Sequence, residues 1–236
     1  MVVSPTPPGS THQSLGTPRS QSTDTPVPDF QLTLSPSSTR HSLYLPESSP
    51  RYRALKSIPG ALMEICPDAS LYATDFATRI GGSPQHPKHK PSGAALILDY
   101  GPGDGTVPVN SLRGISRHRR VSPFAEPGLT DLSADVDFAA VAEAALRASE
   151  GVEVHGPVEQ AAFLEGMGIR ERAEMLVKAL RQKGQAEAKP DDVERAWKRL
   201  VGRGPDGMGK TYKALAILPE NDGKRRPVGF GGDVRA

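Results

Sequence analysis

At 236 residues the chain has room for one large domain or two small ones, at the usual ~100–200 residues each. Its 24 glycines and 23 prolines make up about a fifth of the residues and hydrophobic residues only 36%, so part of the chain has no core to join. No run approaches the ~20 apolar residues of a helical membrane span, and the lone Cys66 excludes an internal disulfide framework or a cysteine-rich zinc site. A net charge of +2 leaves any attraction to nucleic acid to local patches.

Residues 1–28 are dominated by Pro, Ser, Thr and Gly. Such a composition cannot bury enough apolar surface to offset its ordering entropy, so disorder is expected there. No presequence is visible: a mitochondrial one is an Arg-rich, acid-free amphipathic helix, whereas Arg19 stands alone and Asp24 intrudes. The folded portion is expected over 29–220, with a tail over 221–236. Phe30, Leu32 and Leu34 alternate as a short strand, and residues 61–66 read as a second strand closed by Pro67. Asp68 is expected to cap a helix whose apolar positions Ala69, Tyr72, Ala73, Phe76, Ala77 and Ile80 follow a 3.6-residue period, stopped by Gly81 and Gly82. Residues 83–92 read as an exposed insertion; its His86 and His89 have no acid or thiol nearby, so no metal site is expected.

Residues 94–98 are continuously apolar, which suits a strand buried on both faces of a parallel sheet. The stretch 101–132, rich in Pro, Gly and Arg, reads as irregular. A helix with Phe138, Val141, Ala142, Ala145 and Leu146 inward is expected to end at Gly151, with Asp135 as its cap. Val152 and Val154 mark a strand, and Ile169, Ala173, Leu176, Val177 and Leu180 another helical stripe. Pro190 opens a helix with Asp191 and Asp192 on its positive dipole end and Val193, Ala196, Trp197, Leu200 and Val201 inward. Residues 211–218 close as a strand. Strands alternating with helices make an α/β architecture.

Two glycine motifs invite a nucleotide reading. Gly204, Gly209, Lys210 and Thr211 fit the phosphate-loop spacing, but that chemistry needs a strand leading in and a helix leading out. Here the order is reversed, so a helix-to-strand turn is expected. Gly101, Gly103 and Gly105 follow the strand at 94–98, yet no amphipathic helix and no second strand ending in an acid comes after them. A strand-to-loop turn at the open end of a sheet is expected, still a place where substrates bind. The basic cluster Arg113, Arg117, His118, Arg119 and Arg120 has no interleaved aromatic residue, so a solvated or substrate-facing loop is expected rather than a nucleic-acid site. Cys66 reads as a core residue at a strand end, not as a nucleophile.

The ordered series EICP at 64–67, ALILDYG at 95–101, LRGI at 112–115, RHR at 117–119, ADVDF at 134–138, GPVEQ at 156–160, FLEGMGI at 163–169 and MGKTYKALAI at 208–217 is distinctive. It resembles the mitochondrial protein-arginine methyltransferases that serve complex I assembly, and their bacterial homologues, over roughly residues 28–220. Glu159 departs from the Thr usual in the family, and Ser122, Pro123 and Phe124 stand where Asp-Pro-Leu is usual. The resemblance implies a Rossmann-like class I methyltransferase fold, of which this chain covers the C-terminal half. It further implies S-adenosylmethionine as donor, a complex I subunit as protein substrate, and a mitochondrial location. The glycine loop and the acidic ribose ligand of the family belong upstream of the matched region, so no cofactor-binding residue is assigned here. Little activity is expected of this polypeptide alone. A methyltransferase-like module that binds an assembly partner without catalysis is the alternative.

Ligands of open α/β sheets bind beyond the carboxyl ends of the strands, and a guanidinium is held best by carboxylates. Asp99, Tyr100 and Gly101 are therefore the expected substrate-pocket wall, the competing role for Asp99 being a simple turn cap. No catalytic base is assigned, and alkylation of a guanidinium nitrogen needs none in the transfer step itself.

Overall fold

Along the chain the elements are β1 (Val2–Pro5), β2 (Phe30–Thr33), α1 (Arg40–Tyr44), α2 (Pro50–Lys56), α3 (Pro67–Gly81), β3 (Ala95–Tyr100), β4 (Arg113–Ser116), β5 (Arg119–Val121), β6 (Asp131–Ser133), α4 (Phe138–Ala148), β7 (Val152–Glu159), α5 (Gln160–Gly166), α6 (Ile169–Lys183), α7 (Pro190–Val201) and β8 (Tyr212–Pro219). The structure, a computed structural model, describes residues 2–5, 30–183 and 189–232. The disorder expected over 1–28 falls, apart from β1, outside the described residues. The chain divides into two units, one of residues 1–62 with 109–134 and the other of 63–108 with 135–236.

In the first unit β1 pairs antiparallel with β2, Val2 opposite Thr33. Thr39 and Ser42 close a reciprocal capping box on α1. Ser49 caps α2, which buries Tyr52. The stretch expected to be irregular holds a three-stranded antiparallel sheet in the order β5-β4-β6. The expectation failed on the β4–β5 turn. Ser116 pairs with Arg119, leaving Arg117 and His118 as a two-residue reversal with φ of 51° and 61°. Such turns are usually written with Asn or Gly, and neither is present.

The second unit is built on the sheet β3-β8-β7, antiparallel throughout, with the last strand of the chain in the middle. This corrects the parallel, doubly buried strand expected at 94–98. Ile97 packs on the core, whereas Leu96 and Leu98 on the other face are 51% and 50% exposed. The core lies between the sheet and two helices: Ala73, Ala77 and Ile80 of α3, Phe138, Val141 and Ala145 of α4, and Val152, Leu215 and Ile217 of the strands. Alanines at the α3–α4 contact let the helices approach closely, which turns the larger Tyr72 outward to 65% exposure. Phe138, fully buried, anchors the first turn of α4.

Several boundaries differ from expectation. Residues 61–66 form no strand; Glu64 donates its amide to the Pro108 carbonyl at 2.9 Å, outside any sheet ladder. Pro67 starts α3, so Cys66 is that helix's N-cap and is exposed rather than core, and Asp68 sits in the first turn instead of capping. Asp137, not Asp135, caps α4, its Oδ1 accepting from the Ala140 amide at 3.0 Å, and the helix ends at Ala148 rather than Gly151. β7 runs on to Glu159 through a register shift between His155 and Val158. Gly156 lies in that shift, where a Cβ would stand 2.5 Å from the Ala214 carbonyl. α7 buries no residue fully; Trp197 is half-buried, with the Arg170 guanidinium 5.9 Å from its ring centre. After β8 the chain folds back. Arg225 donates to the Pro219 carbonyl at 2.6 Å and pairs with Glu153 at 3.0 Å, and Phe230 packs on Phe163.

Candidate functional site

β3 and β7 end where β8 begins, and the register decides what meets there. Lys213 of β8 stands opposite Asp99 on one side and Glu159 on the other. Directly opposed residues share a face of the sheet, so an acid, a base and an acid form a row across its end. Burial pushes the Lys213 ammonium below the usual lysine value and Lys210 adds to this, against the opposing pull of Glu159, Asp104 and Asp135. Its Nζ donates to the Lys210 carbonyl, and its methylene stem runs beneath Gly103, where an added Cβ would lie 2.8 Å from Cε. The lysine thus supports the loop that leaves β3.

The three expected pocket residues are consecutive: Asp99 and Tyr100 end β3, and Gly101 opens that loop. Asp99 Oδ1 accepts from the Tyr100 amide at 2.8 Å, a local bond of the turn-capping kind. Tyr100 meets Tyr212 edge to face, ring centres 5.2 Å apart, and its carbonyl accepts from the Val136 amide at 2.9 Å. Gly101 follows, so close to that segment that a Cβ would fall 2.2 Å from the Val136 oxygen. Only glycine fits. Next along the loop, Asp104 is held below the usual carboxylate range by its hydrogen bonds to Thr106. On the β7 side Glu159 accepts from Arg203 at 3.0 Å, Glu165 joins the same guanidinium at 3.3 Å, and the buried Gln160 donates to the Leu200 carbonyl at 2.9 Å.

Asp99 and Glu159 thus flank Lys213 in register at the carboxyl end of two strands, and Asp104 and Asp135 pull on its charge from nearby. Of these acids Glu159 already holds a guanidinium, that of Arg203. Sequence reasoning singled out Asp99 but not the row it makes with Lys213 and Glu159, nor Tyr212 beside Tyr100, because only the strand register brings them there.

Neither glycine loop composes a nucleotide cradle. Loop 204–209 leads from α7 into β8, as its reversed context predicts. The Met208 amide donates to the Arg199 carbonyl at 2.9 Å and the Gly209 amide to Gly202 at 2.8 Å. These bonds turn both amides back onto the end of α7 rather than outward to a phosphate. In the other loop Gly101 donates towards the Thr211 carbonyl at 3.4 Å and Thr106 to Asp104 Oδ1 at 3.0 Å, and no helix follows. The described residues do not by themselves fit the adenosyl group of a methyl donor.

Residues 3–158 match the family described as "Putative S-adenosyl-L-methionine-dependent methyltransferase". The chain belongs to this family. It is 35% identical over 158 residues to the rat protein named protein arginine methyltransferase NDUFAF7, mitochondrial, an alignment spanning 66% of this chain and 32% of that one. The human protein of the same name is 32% identical over 158 residues, again 66% of this chain and 31% of the relative. The Caenorhabditis elegans homologue is 32% identical over 143 residues, 58% and 31% of the two chains. The chain thus spans about a third of the length of these curated relatives. Among solved structures, a COG1565 superfamily protein from Burkholderia thailandensis, crystallised with S-adenosyl-homocysteine, superposes with a TM-score of 0.52 at 24% identity, covering 78% of this chain and 43% of that one. That likeness shows the fold, a methyltransferase-type α/β arrangement. Among the described residues no helix is long and apolar enough to cross a membrane.

Proposed function

We propose that this chain is the substrate-facing part of an S-adenosylmethionine-dependent protein-arginine methyltransferase that acts in mitochondria on a protein of respiratory complex I assembly. Asp99, Tyr100 and Gly101 form one wall of the arginine pocket. The observation that carries the reading is the acid-lined sheet end, where Asp99 and Glu159 flank Lys213. Family membership supports the methyl donor, and the relatives' names support arginine, mitochondria and a protein substrate. The transfer itself moves a methyl group from the donor's sulfonium to a guanidinium nitrogen. In that step these residues hold and orient the cation, and alignment of the reactants supplies much of the rate. The donor's cradle lies in the family's remaining length, so this polypeptide alone has little transferase activity.

Isothermal titration of the purified chain with S-adenosylmethionine tests this. No heat is expected at micromolar concentration, and micromolar binding overturns the divided-site reading. Joining the chain to the part of the rat relative outside the match is expected to restore donor binding and label transfer to arginine. A chimaera that binds donor but labels no arginine overturns the arginine assignment. It would favour the non-catalytic assembly module, a reading supported by the inward bonds of the Met208 and Gly209 amides.

A further inference from the structure

The hairpin of β4 and β5 gathers exposed positive charge at Arg117, Arg119 and Arg120. Several exposed arginines elsewhere have carboxylate partners: Arg79 with Asp75, Arg147 with Glu143, Arg203 with Glu159 and Glu165. Arg117, Arg119 and Arg120 are exposed, and among the described residues none has a carboxylate within 4.0 Å. The register gives their directions. Arg119 shares a face with Ser116, opposite it, and with Val121, two residues on, while Arg120 pairs with Ile115 on the other face. On the first face Ser116, Arg117, Arg119 and Val121, with Ala125 and Glu126 of the following loop, line a cleft of about 490 Å³.

We propose that this cleft docks an acidic segment of a partner polypeptide. Two guanidinium groups and a hydroxyl beside the apolar Val121 and Ala125 match a peptide carboxylate and its methylenes. A nucleic acid fits worse on two counts. No aromatic ring lines the cleft to stack a base, and Glu126 repels a backbone charged at every residue. A peptide sets its carboxylates apart with uncharged residues and so feels Glu126 less, though not without cost. This docking does not depend on the methyl donor, so it stands or falls apart from the transfer reaction.

The test is fluorescence anisotropy with a fluorescein-labelled dodecapeptide of Glu, Ser and Gly, titrated with the full 236-residue chain at low salt. Binding is expected, weakening as salt rises. The double substitution of Arg117→Ala with Arg119→Ala is expected to weaken it about tenfold, as the loss of two exposed charge contacts implies. Arg147→Ala, far along the sequence on α4, is expected to leave it unchanged. Glu126→Gln is expected to tighten it, a gain that an unfolded variant cannot mimic. Absence of peptide binding at low salt, equal loss in Arg147→Ala, or no gain in Glu126→Gln overturns the proposal. Tighter binding of a single-stranded RNA dodecamer than of the peptide overturns it in favour of nucleic acid.

Discussion

Leu215 and Leu96 sit on adjacent strands of the same sheet, fully buried and 51% exposed respectively, and truncating each to alanine measures what covers the two faces. Full burial of a leucine side chain stabilises by about 1.5–3 kcal/mol, and the cavity left by truncation raises the loss to about 2–5 kcal/mol. Leu215→Ala should cost that amount. Leu96 forfeits about half of the transfer term at most and leaves no closed cavity, so Leu96→Ala should cost about 1.5 kcal/mol or less. Urea unfolding followed by the fluorescence of Trp197, the one tryptophan and part of the same unit, reads this unit directly. The midpoint should fall clearly in Leu215→Ala and barely in Leu96→Ala, with similar slopes. Equal losses would refute the argument. They would mean that the outer face of β3 is covered as well as the inner one.

Gly101→Ala places a methyl within 2.2 Å of the Val136 oxygen and must displace the loop after β3; a thermal melt should fall by several degrees, more than for Gly105→Ala, where nothing lies within 4 Å. Asp137→Ala removes the cap on α4 and should cost about 1 kcal/mol, whereas Asp137→Asn should cost little, both read by urea unfolding. Lys213 has a lowered pKa in the folded state, so the unfolded chain binds more protons between that value and the ordinary lysine value. Stability should therefore rise with pH through that window. Measured against Lys213→Met from neutral pH to about 10.5, the wild type should gain relative stability; a constant difference would show that the lysine is not desolvated.

The helices were legible where their periodicity had room to repeat. α3, α4, α6 and α7 stand close to where their apolar spacing put them, and β8 is within a residue of its expected start. Boundaries slipped where a near neighbour competes for the same role, as Asp137 does with Asp135 and Cys66 with Asp68. The β4–β5 hairpin was hidden because its reversal uses Arg117 and His118, residues with no turn signature. The apolar run at 94–98 fixed a strand but not its neighbours. Direction and partner depend on β8, more than a hundred residues later, and local sequence holds no record of that pairing. The site suffered most from this. Asp99 was visible as an acid leaving a strand, whereas the row it makes with Lys213 and Glu159 exists only once three distant strands are in register.

Placing β8 between β3 and β7 also sets an order of assembly. During synthesis β3 and β7 emerge long before the strand that joins them, and neither has the other as a neighbour. The sheet can be completed only after Pro219 has been made, so helices α3 and α4 must wait for Leu215 and Ile217 to finish the floor beneath them. Non-local closure of this kind is slow. A nonsense codon between Val201 and Tyr212 would release a chain with helices α1 to α7 complete but without the strand that joins β3 to β7.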